Sequence, residues 1–151
     1  MKREFKDLFL QGDYYSVVKE VKELLKNSPN DAELYYTLFL AENNDYSNMN
    51  FECLVNDDNY NKALGVANRR YRNDISSEYD LYKELDKYEN ERKLVRYAQL
   101  GNESKFYEIF EQADSSEINI NIDSDFFSNL DYCLCRSSNP TAIDLSILIV
   151  N

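Results

Sequence analysis

A chain of 151 residues, 43% hydrophobic and 30% charged, has the length for one buried core and the composition of a folded protein rather than a disordered one. Its formal charge of −11, from 28 acids and 17 bases, disfavours binding to phosphate backbones and leaves either a basic partner or plain solubility as its consequence. The lack of histidine excludes Ser-His-Asp and Cys-His catalysis; 3 scattered glycines exclude a P-loop and a dinucleotide fingerprint and, with only 2 prolines, argue against a turn-rich β-sandwich.

What remains is an all-α chain. Met1 to Leu10 reads as a short helix with Phe5, Leu8 and Phe9 on its apolar stripe. Gly12 and Asp13 turn the chain, since glycine tolerates positive φ and aspartate bonds its local backbone. From Tyr14 to Lys26, Val17, Val18, Val21, Leu24 and Leu25 recur at helical spacing. Asn27, Ser28 and Pro29 stop that helix, because proline disfavours helical geometry in the residue before it. Asn30 and Asp31 are N-cap candidates, with Glu33 three residues after Asn30 completing a capping box. Leu34, Tyr35, Leu38 and Phe39 then mark a third helix, from about Asp31 to Asn43.

These residues carry a resemblance. Gly12-Asp13-Tyr14, the helix after it, and Pro29-Asn30 before the next helix resemble a tetratricopeptide repeat, a family of helix pairs repeating every ~34 residues. Tyr35 stands at the family's aromatic position and Leu38 at its leucine; Val17 replaces the usual alanine and Phe39 the usual glycine. The clearest repeat covers residues 1–44. The resemblance implies a right-handed superhelical stack of antiparallel helix pairs, about eight or nine helices over residues 1–151 as one domain. It also implies a concave groove lined by Lys6, Phe9, Tyr36, Leu40, Asn43 and Asn44, which takes a peptide or a partner helix. Thr37 and Leu40 occupy places where the carboxylate-clamp members carry asparagine, so a chaperone C-terminus is not the expected ligand.

The pattern loosens over 45–57, an irregular insertion with a short helix expected after Ser47. Asp58 to Leu64 resembles the turn and second helix of a repeat again, with Gly65 expected at a close helix contact and Arg69, Arg70 and Arg72 at the helix end. Ser77-Glu78-Tyr79-Asp80 reads as a further cap, and the charged helix beyond it runs to Leu100 or breaks near Asn90. Gly101-Asn102 then repeats the logic of Gly12, opening a helix that ends near Ala113. Ile118, Ile120 and Ile122 alternate with polar residues, as in a strand, although an extended linker suits a lone segment better. C-terminal helices are expected over 124–150, from Ser124 to Arg136 and again after Asn139, with Pro140 in the first helical position. The apolar end Ile147–Val150 docks on the core or continues into a longer chain.

Little chemistry survives this reading. Cys53, Cys133 and Cys135 have neither redox nor zinc spacing, and an odd count points to reduced thiols and a cytoplasmic setting. Asp57-Asp58 and Glu111–Asp114 are the only dense carboxylates, and neither has EF-hand spacing. No apolar run reaches the ~18 residues of a membrane span. The expectation is a non-catalytic, cytoplasmic adaptor or scaffold of bacterial flavour, without cofactor or metal. It binds another protein or peptide and no nucleic acid directly, with homo-oligomerisation open. Two rivals remain: an acidic inhibitor of a basic nucleic-acid-binding enzyme, and an enzyme using a carboxylate-held metal.

Overall fold

A computed structural model describes residues 3–115 apart from residue 55. Over that range the chain is helical: α1 (Arg3–Gln11), α2 (Tyr14–Asn27), α3 (Ala32–Glu42), α4 (Asp45–Asn48), a 3-10 turn (Phe51–Cys53), α5 (Asp58–Val66), α6 (Arg69–Glu84), α7 (Glu89–Leu100) and α8 (Glu103–Asp114). The alternating stretch at 118–122 and the expected helices over 124–150 lie outside the described residues. The chain divides into two compact units, Met1–Asp86 and Lys87–Asn151.

Two helical hairpins share one local device. Gly12 and Gly101 both adopt the left-handed conformation, at φ 72° and 73°. At the first, the Gly12 amide donates to Phe9 O at 3.1 Å and the Asp13 amide to Leu8 O at 2.9 Å. At the second, the Gly101 amide donates to Ala98 O at 3.2 Å and the Asn102 amide to Tyr97 O at 2.8 Å. This paired bonding is the Schellman arrangement, which satisfies carbonyls that the helix end leaves open. The residue after each glycine then caps the next helix: Asp13 accepts from the Ser16 amide at 3.2 Å and Asn102 from the Lys105 amide at 3.3 Å. One glycine and one short polar residue thus end a helix and begin another.

In the first unit α3 is the central rod. It packs against α2, α4 and α5, while α1 lies on α2 and α6 on α5. Leu34 and every residue from Tyr36 to Ala41 are buried, so α3 is apolar nearly all round rather than along the one stripe its leucines suggested. Its cap is Asp31, whose carboxylate accepts from the Leu34 amide at 3.2 Å; Asn30 does not cap it. Phe5, Phe9, Val17, Val21, Tyr46, Met49, Ile75 and Tyr82 complete the core. In the second unit α7 packs on α8, with Leu94, Val95, Ala98 and Phe106 buried.

Three other boundaries and the role of Gly65 differ from the sequence reading. Ser47 lies inside α4 rather than before it; Asn44, with φ 62°, stands at the cap position without a side-chain bond. Arg69, Arg70 and Arg72 begin α6 instead of closing α5, because the Asn68 side chain accepts from the Tyr71 amide at 2.8 Å. The expected meeting of cation and helix C-terminus occurs through space instead. Arg72 Nε donates to Leu64 O at 3.0 Å and its Nη2 to Ala67 O at 3.3 Å. Ser77–Asp80 lies within α6, since Tyr71, Ile75, Tyr79 and Tyr82 form one unbroken stripe through it. Gly65 is exposed, and a Cβ there would meet nothing within 4 Å. It marks no close contact.

Candidate functional site

The groove positions divide sharply. Phe9, Tyr36 and Leu40 retain only 4%, 5% and 1% of their surface. Phe9 meets the Tyr14 ring edge-on at 5.6 Å, and Tyr36 sits in the core beside Phe39, 6.0 Å between ring centres. Their area is taken up by neighbouring helices: Phe9 where α1 lies on α2, Tyr36 and Leu40 because α3 is covered on several sides. Asn43 is half-buried and donates to Phe39 O at 2.8 Å and Asp57 Oδ2 at 3.3 Å, tying the end of α3 to the start of α5. Lys6 is half-buried and Asn44 exposed.

What the sequence did not single out is a set of tyrosines where α3, α5 and α6 meet. Tyr60, from α5, stacks on Tyr79, from α6, with ring centres 4.7 Å apart and planes 24° apart. Tyr71, from α6, meets the buried Tyr36 edge-on at 6.5 Å. Beneath them Tyr36 and Tyr46 share a hydrogen bond of 2.7 Å, and the Tyr36 hydroxyl donates to Glu78 Oε1 at 3.0 Å. Tyr46 stacks on Tyr82 at 4.4 Å. Aromatic pairs of this kind add to the stabilisation that area burial gives.

The three upper tyrosines are half-buried, and the charges acting on them are carboxylates, joined at Tyr60 by Tyr79. Burial, then Asp80, pushes the Tyr60 hydroxyl up to about 12. Burial first, with Glu33, Glu78, Asp31 and Asp74 behind it, raises Tyr71 further. Burial, then Asp80 and Asp57, raises Tyr79. Both causes act against a phenolate, since desolvation and negative neighbours each penalise added negative charge. The Tyr71 hydroxyl is itself buried and makes no hydrogen bond among the described residues.

In the same unit the chain supplies a cation of its own. Lys62 Nζ lies 5.9 Å from the centre of the Tyr35 ring and 3.0 Å from Asp58 Oδ2. The ion pair holds the Lys62 ammonium above its ordinary range. A tyrosine face and a carboxylate together are a recognised seat for an ammonium or guanidinium. The sequence signal was the clustering of Tyr and Asp or Glu within α6, at Tyr71, Asp74, Glu78, Tyr79 and Asp80. Part of it, Ser77 to Asp80, reads as a helix cap until α3 and α5 bring Asp31, Glu33, Asp57 and Tyr60 alongside.

Asp57 and Asp58, singled out as a dense carboxylate pair, have structural duties. Asp57 caps α5, accepting from the Asn59 amide at 2.9 Å and the Tyr60 amide at 3.0 Å. Asp58 pairs with Lys62. Among the described residues no group of three or more His, Cys, Asp or Glu gathers to hold a metal ion. Cys53 is exposed with a free thiol. No helix among the described residues is long and apolar enough to cross a membrane.

No protein-family description, curated protein or solved structure matches this chain.

Proposed function

We propose that the chain is a non-catalytic protein-interaction module of helical-repeat type, and that its first unit binds a cation-bearing peptide or partner helix on the acid–tyrosine face. The observation that carries this reading is the trio of half-buried tyrosines, Tyr60, Tyr71 and Tyr79, each set among carboxylates. Rings supply contact area at low entropic cost, and carboxylates in a partly desolvated setting attract and orient an incoming lysine or arginine. Lys62 over Tyr35 illustrates the chemistry within one chain. The Gly-Asp and Gly-Asn hairpins support the helical-repeat part of the reading, with stacking of such pairs into a superhelix as its finer form.

The test uses a lysine- and arginine-rich synthetic peptide of helical propensity, with a charge-reversed version as control, followed by fluorescence anisotropy. Binding of the basic peptide alone is expected, weakening steeply as salt shortens the screening length. Asp74→Asn with Asp80→Asn is expected to weaken it about tenfold, equivalent to ~1.4 kcal/mol. Equal binding of both peptides, or indifference to salt, removes the proposal. The acid-rich face also favours a second reading, an inhibitor of a basic nucleic-acid-binding enzyme. It differs in requiring that DNA or RNA displace the chain from that partner.

A further inference from the structure

We draw no further inference here: the strongest candidate, the buried Tyr71 hydroxyl among Asp31, Glu33, Asp74 and Glu78 where α3 and α6 approach, has no exposed surface for a ligand to reach and otherwise rests on an acidic cluster belonging to the face already described.

Discussion

A methyl group added at Gly12 and one added at Gly65 act in opposite directions. Gly12 sits at φ 72°, where an L side chain costs about 1–2 kcal/mol. Gly65 lies in α5 with open space where a Cβ would stand. There alanine stabilises by about 0.5–1 kcal/mol, chiefly by restricting the unfolded chain. Urea midpoints of Gly12→Ala and Gly65→Ala, at unchanged slope, check both signs; a destabilised Gly65→Ala would mean that the glycine does serve a contact. Tyr71 gives a second comparison at this scale. Its hydroxyl is buried without a bond among the described residues, and such a group costs about 1–3 kcal/mol. Tyr71→Phe keeps the ring against Tyr36 and is expected to gain about 1 kcal/mol. A loss on denaturation would show that the hydroxyl does useful bonding.

Among the elements, α5 shows how a neighbouring pair of identical residues can carry different weight. Asp57 holds two amides of the first turn and also receives Asn43 from the end of α3. Asp58 has one exposed ion pair. Asp57→Ala is expected to cost about 1–2 kcal/mol, as lost caps do, and Asp58→Ala under about 0.5 kcal/mol. Thermal melts of the two variants distinguish them, and equal effects would displace the α5 boundary. The same contrast explains the misplaced caps. Ser77 offers the same side chain as a true cap, yet the apolar stripe through Tyr71, Ile75, Tyr79 and Tyr82 holds it inside a helix. Local bonding options are cheap; a buried face worth several kcal/mol overrides them.

For the molecule as a whole, the acid–tyrosine face makes stability sensitive to alkali. An unfolded tyrosine titrates near 10.0, whereas folded Tyr60 titrates at about 12. Between those values the unfolded chain has released its proton and the folded one retains it, so deprotonation favours unfolding. The contribution is intact below pH 10.0 and lost as pH rises through about 12, with Tyr71 and Tyr79 acting in the same direction. Tyrosinate absorbance and circular dichroism followed together should show late-titrating phenols ionising as helix is lost. Simultaneous ionisation of all tyrosines near 10.0 with helix intact would contradict the burial assigned to them.

Helix content and the bends at Gly12 and Gly101 were decided by the residues alone. Periodicity and a glycine followed by Asp or Asn act within a few positions, and nothing distant is needed to satisfy those end groups. The sides of each helix were not so decided. Tyr36 and Leu40 look available on an isolated α3, and are buried only when neighbouring helices close around it, α6 among them through Tyr71 and Glu78. Likewise Asp31, Glu33, Asp57, Tyr60, Tyr71 and Tyr79 are scattered in the chain, and become one surface only when three helices meet. Burial and charge clustering depend on which elements touch, and that is a property of the fold.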